Sequence, residues 1–184
     1  MSNLMIYSIL GLAMVAFVSA QGNWPSCSPG AYMTFDLYLD EICVWCPPGS
    51  CGSEFDVCQT CAAGQYQSSQ GQTSCLTCPS GTYSSSGATA CTSCPTGTYQ
   101  TSSGASFCLS CLPGSANANP GATSCQECLP GSYSTSGGAT ACVECSAGYY
   151  QGNFNSTGCL TCPVGKHSSA GASTCLNCNP ITCP

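Results

Sequence analysis

Cysteine is the one residue type here abundant enough to carry chemistry, at 21 of 184 residues. Most of it falls in Cys-x-x-Cys pairs, at Cys43/Cys46, Cys58/Cys61, Cys75/Cys78, Cys91/Cys94, Cys108/Cys111, Cys125/Cys128, Cys142/Cys145, Cys159/Cys162 and Cys175/Cys178. Thiols so spaced serve three chemistries. They form bridges in an oxidising compartment, two pairs can share a tetrahedral zinc ion, and one pair at a helix N-terminus can exchange electrons. Zinc favours isolated four-cysteine clusters and the redox motif a βαβ setting. An unbroken run of pairs with no helical periodicity favours bridges and leaves the other two as minor alternatives. Other reactive groups are scarce: His167 is the only histidine, Lys166 the only cation, and seven residues are Asp or Glu. No nucleophile, base and orienting partner can be assembled from that set, so the chain reads as non-enzymatic, with no cofactor or metal. Five of the carboxylates, Asp36, Asp40, Glu41, Glu54 and Asp56, fall close together. Calcium would need them to converge, and a solvated acidic face is the simpler reading. Nucleic acid is excluded as a partner, because phosphate binding needs clustered Lys and Arg.

The positioning elements begin after a leader. Residues 4–18 read LMIYSILGLAMVAFV, and Val18-Ser19-Ala20 before Gln21 has the small-residue pattern of a signal-peptidase site. The expectation is a signal peptide over 1–20. Its amino end lacks Lys and Arg, which leaves a signal anchor as the alternative. No later apolar run suggests a membrane span, so the mature chain is expected to be secreted, extracellular or at the cell surface. After Ala20, Leu, Ile, Val and Phe number 18 of 164 residues, well under the roughly 20% at which a chain struggles to build an apolar core. Covalent bridges must replace that core, each worth roughly 3 kcal/mol for a loop of about 15 residues in the chain-entropy account.

The text between the pairs also repeats: CPSGTYSSSGATAC from Cys78, CPTGTYQTSSGASFC from Cys94 and CLPGSYSTSGGATAC from Cys128. Each unit reads Cys-Pro-x-Gly-x-Tyr, a Ser/Thr/Gly stretch, then Gly-Ala-x-x-Cys. Pro79 or Pro95 presets φ for a turn, and Gly81 or Gly97 permits positive φ. The tyrosines at Tyr32, Tyr66, Tyr83, Tyr99, Tyr133 and Tyr150 offer a large ring with a polar tip, expected to pack over the bridge of their own unit. Ala116 and His167 stand where two units lose that ring, and Cys51 stands there in another. The Gly-Ala pair before the next cysteine supplies a return turn. Two turns with short extended legs make one small irregular hairpin per unit.

The pattern C-x-x-C-P-x-G-x-Y…G-A-x-x-C-x-x-C resembles the ephrin-receptor-like cysteine-rich repeat, and its Cys to Gly-x-Tyr to Cys segment is similar to the first submodule of tumour-necrosis-factor-receptor domains. It also resembles cysteine-rich surface proteins of protists, including ciliate immobilisation antigens. The resemblance spans about Cys27 to Cys178 and bears on fold more than on function. It implies that the second cysteine of each pair joins the first of the next: Cys27–Cys43, Cys46–Cys58, Cys61–Cys75, Cys78–Cys91, Cys94–Cys108, Cys111–Cys125, Cys128–Cys142, Cys145–Cys159, Cys162–Cys175 and Cys178–Cys183. Cys51 is left over as an interchain link or free thiol, with exchange for Cys46 or Cys183 as alternatives.

The first part of the mature chain differs from the rest. Met33, Phe35, Leu37 and Leu39 alternate as in a half-buried strand, and with Trp45 and the acidic residues they form a candidate interaction surface. Trp24 is expected to cap the start of the array. Asn155-Ser156-Thr157 is an N-glycosylation acceptor. The domains therefore read as 1–20 signal peptide, 21–57 divergent units with the apolar and acidic segment, and 58–184 regular repeats. The expected fold is small and disulfide-rich: an elongated solenoid-like array of short irregular β-hairpin units with little or no helix after the signal peptide. The expected function is structural, in a coat, wall or fibre built as a homo-oligomer or polymer. The alternative is a receptor-like or adhesive module that captures an extracellular protein or glycan.

Overall fold

The computed structural model describes residues 4–9, 12–17, 27–52 and 57–178. Every regular element among them is a strand, and every sheet is a two-stranded antiparallel hairpin. β1 (Leu4–Ile9) pairs with β2 (Leu12–Phe17), from Leu4 opposite Phe17 to Ile9 opposite Leu12. The segment read as a signal peptide contains this hairpin, while Val18-Ser19-Ala20, Trp24, Glu54, Phe55, Asp56 and Cys183 lie outside the described residues.

From Cys27 onward one hairpin recurs in each unit, and its turns explain the repeat text. Thr82 N–H donates to the Pro79 carbonyl and Thr98 N–H to Pro95, closing four-residue turns with Gly81 at φ 77° and Gly97 at φ 77° in third place. Glycine is needed there because an L side chain is strained at that φ. Proline is not needed. It sits in first place, where it supplies only a carbonyl, and Ala62, Leu112, Leu129 and Ser146 do the same elsewhere. The expectation that Pro79 and Pro95 preset the bend is corrected to this acceptor role. The hydroxyls of Thr82 and Thr98 reinforce the same carbonyls at 2.7 Å.

Backbone hydrogen bonds join each unit to the next. Between the units bridged at Cys78–Cys91 and Cys94–Cys108 there are four, one of them from Cys94 N–H to the Gly81 carbonyl. Gly81 N–H donates to Gln100, Ser84 N–H to Ala105, and Gly104 N–H to Cys78. The same set recurs one unit on, as Gly97 to Asn117, Gln100 to Ala122 and Gly121 to Cys94. Packing reaches one unit further still. A Cβ on Gly97 would collide with the Gly138 carbonyl, and one on Gly81 with that of Gly121. The first turns from Gly30 to Gly131 therefore rest on the return turn of the next unit but one, and only those of Gly148 and Gly165 near the end of the described residues do not.

The interior contains almost no hydrocarbon. Fully buried side chains are the second cysteines of the pairs, Cys46, Cys61, Cys78, Cys94, Cys111, Cys128 and Cys145, all at 0–1% exposure. Beside them lies a polar file one residue past each tyrosine position: Gln67, Ser84, Gln100, Asn117, Ser134, Gln151 and Ser168. Buried amides and hydroxyls are costly unless bonded, and these are. Gln100 Nε2 donates to the Phe107 carbonyl at 2.9 Å while its Oε1 accepts from Ser102 N–H at 3.1 Å, and Gln67 and Gln151 close their own loops likewise. Ser84, Asn117 and Ser168 instead reach back to the preceding unit, at the carbonyls of Gln65, Thr98 and Tyr149.

Candidate functional site

The sulfur ladder runs the length of the array. Its bridges are Cys27–Cys43, Cys46–Cys58, Cys61–Cys75, Cys78–Cys91, Cys94–Cys108, Cys111–Cys125, Cys128–Cys142, Cys145–Cys159 and Cys162–Cys175. Each joins the second cysteine of one pair, or Cys27 at the start, to the first of the next. Cys178 is also bridged; Cys183, to which the resemblance pairs it, is outside the described residues. Cys51 is a free thiol, half-buried, with its sulfur 3.4 Å from Cys75 Sγ. No group of three or more His, Cys, Asp or Glu among the described residues is placed to hold a metal ion.

Cys51 shows what lies beneath the tyrosine position, because it occupies that position and touches the bridge of the following unit. Tyr133 fits the same geometry: it shares a shallow cleft with Tyr149 and with Cys159, a cysteine of the next bridge. All six repeat tyrosines, Tyr32, Tyr66, Tyr83, Tyr99, Tyr133 and Tyr150, are half-buried.

Opposite the rings stands a position that the sequence reading passed over. Tyr66 faces Leu76, Tyr99 faces Leu109, Tyr133 faces Val143 and Tyr150 faces Leu160. Directly opposed residues of an antiparallel pair share a face, so these four units present a ring and an aliphatic chain together, as Tyr32 and Val44 do in the first unit, while Tyr83 faces the polar Thr92. Where the ring is lost, at Ala116, the partner is the polar Gln126. His167 keeps an apolar partner, Leu176, and its Nδ1 is buried without a hydrogen bond, consistent with packing in place of a tyrosine. The clue in the sequence was Leu or Val directly after the first cysteine of a pair.

The first unit holds the larger apolar feature. β3 (Ala31–Phe35) pairs with β4 (Glu41–Trp45). The expected alternating strand through Leu37 and Leu39 stops at Phe35, because Asp36 folds the chain into a turn. Its Oδ1 accepts from Tyr38 N–H at 2.8 Å and Asp40 N–H at 3.0 Å, and Leu39 takes φ 67°. Leu37, Tyr38, Leu39 and Phe35 therefore project at 99%, 84%, 60% and 59% exposure. Asp36 is thus engaged in holding a turn. Met33 is half-buried in β3, and the Trp45 ring lies against Gly71 two units on. Asn155 is exposed in the left-handed region at φ 57°, where neighbouring units have a return-turn glycine, and its amide donates to Glu127 at 2.7 Å.

Two-stranded hairpins stapled end to end by cystines, with a polar interior and no deep cleft among the described residues, define a class: the extracellular cysteine-rich repeat, used for structure or for binding. Residues 50–83, 81–128 and 131–174 match the family model described as tyrosine-protein kinase ephrin type A/B receptor-like. These segments cover more than half of the chain, which belongs to the ephrin-receptor-like cysteine-rich repeat family. Repeats of this kind are a non-catalytic module type. The density of bridges and the family together fit an extracellular location, and no helix among the described residues is long and apolar enough to cross a membrane.

Proposed function

We propose that this chain is a secreted, non-enzymatic structural component of an extracellular coat, wall or fibre, released by cleavage after Ala20 and assembled from many copies. The observation that carries the reading is the repeated Tyr and Leu/Val face. An apolar pair recurs at a fixed place in most units, interrupted at Cys51, Tyr83 and Ala116, on a surface with almost no charge to oppose lateral contact. A periodic face of this kind suits a partner with the same period, which a second copy supplies. The exposed tip at Phe35, Leu37, Tyr38 and Leu39 adds a contact at one end, Cys51 is the candidate interchain link, and carbohydrate on Asn155 would keep the uncharged surface hydrated.

The same tip also supports a second reading, an adhesive or receptor-like module that captures an extracellular protein or glycan. One measurement separates the two: mass analysis of the natively secreted protein, alkylated without prior reduction and run with and without reductant. The structural reading expects multimers in native separation, abundant in the secreted material, with a start at Gln21 and a glycan mass on Asn155. A chain that is monomeric at all concentrations, and binds one partner saturably, would replace it with the adhesive reading.

A further inference from the structure

Cys51 has a neighbour with which it can react without any oxidant. β5 (Ser50–Gly52) carries Cys51 between two anchored residues: Ser50 Oγ donates to the Pro47 carbonyl at 2.7 Å, and Gly52 N–H donates to the Gln72 carbonyl at 2.8 Å. Gln72 belongs to the loop that leads into Cys75, so this bond ties the thiol's strand to the segment that bears the bridge. The result is a Cys51 Sγ to Cys75 Sγ separation of 3.4 Å, within the roughly 3–3.5 Å of a near-attack arrangement. In the other units a tyrosine, Ala116 or His167 occupies this position and no such reaction is available.

We infer that Cys51 and the Cys61–Cys75 bridge form a thiol–disulfide exchange pair, so that the protein has two bridge isomers of equal oxidation state. The Cys51 thiolate attacks Cys75 Sγ. The Cys51–Cys75 bond forms as the Cys61–Cys75 bond breaks, and Cys61 leaves as a thiolate that takes up the proton Cys51 lost. One thiol and one bridge are present before and after, and no electron enters or leaves. The released Cys61 sulfur lies in a site 1% exposed, where a thiol is accommodated as a small apolar group. Exchange therefore converts a half-buried thiol into a buried one and moves a staple from within one unit to between two units.

The test is bridge mapping on the intact secreted monomer. The free thiol is alkylated either directly at about pH 5, where thiolate is scarce, or after incubation at about pH 8 in mild denaturant, since exchange runs through the thiolate. The expected result is label on Cys51 at the start, a growing share on Cys61 after incubation, and peptides joined through Cys51 and Cys75. Label confined to Cys51 under both conditions overturns the inference. So does a Cys51 joined to another copy, although that outcome supports the structural reading. Cys61→Ser gives a second reading in glutathione buffer: a Cys51–Cys75 bridge is expected, and two alkylatable thiols at those positions would again overturn it.

Discussion

Gln100 sits where an ordinary globular protein would place leucine. At 7% exposure it spends its amide on closing its own loop, donating to Phe107 and accepting from Ser102. An apolar side chain of similar size would fill the space and leave both backbone groups unpaired. Each such bond contributes roughly 0.5–1.5 kcal/mol, so Gln100→Ala is expected to cost about 1–2 kcal/mol, with all bridges intact. The change should be local. Amide hydrogen exchange at Ser102 should accelerate about tenfold or more, a factor that follows from roughly 1.4 kcal/mol, while amides two units away keep their protection. Unchanged exchange at Ser102 would mean that the buried amide file is filler and that the bridges alone hold the loops.

At the scale of the hairpin, the two glycines of a unit look alike in sequence but play different parts. Gly97 and Gly138 have nearly the same φ, 77° and 76°, yet a Cβ on Gly97 meets the Gly138 carbonyl and one on Gly138 meets nothing within 4 Å. Gly138→Ala should therefore cost only the left-handed penalty, about 1–2 kcal/mol. Gly97→Ala should cost that plus an overpacking term of roughly 1–3 kcal/mol. Urea unfolding of the oxidised proteins measures both, and equal midpoints would refute the stacking of first turns on return turns. The contrast marks what was legible in the sequence. Turn glycines, the hairpin in each unit and the absence of an apolar core follow from composition and period, because turns and alternation are local. The packing of Gly97 on a unit two places away is not local, and no residue type announces it. The polar file was visible as Gln, Ser or Asn after each ring, but such residues read as solvated until their burial is known. Leu37 and Leu39 misled for the converse reason: alternation predicts a strand, and the Asp36 side chain bends the chain first.

On the scale of the whole molecule, the contacts between units described above run to the next unit or the next but one, and the backbone bonds among them recur at equivalent positions. Stability should then behave as a sum over units and their junctions, as in other solenoids. Removing residues 94–127, which joins Ser93 to Cys128, tests this because it deletes two complete units with their bridges, Cys94–Cys108 and Cys111–Cys125. The new junction asks for nothing the array lacks. Gly81 would donate to Ser134, as Gly114 already does, Ser84 would donate to Ala139, as Asn117 already does, and Gly81 would rest on Asn155, as Gly114 already does. The shortened chain is expected to be secreted with its remaining bridges intact and no thiol exposed beyond that of the full-length protein. Its urea midpoint should fall only modestly, since intrinsic and junction terms are lost in proportion. Retention in the cell, or several newly alkylatable cysteines, would show instead that the units depend on long-range order. The array would then fold as one cooperative body whose length is itself a structural requirement.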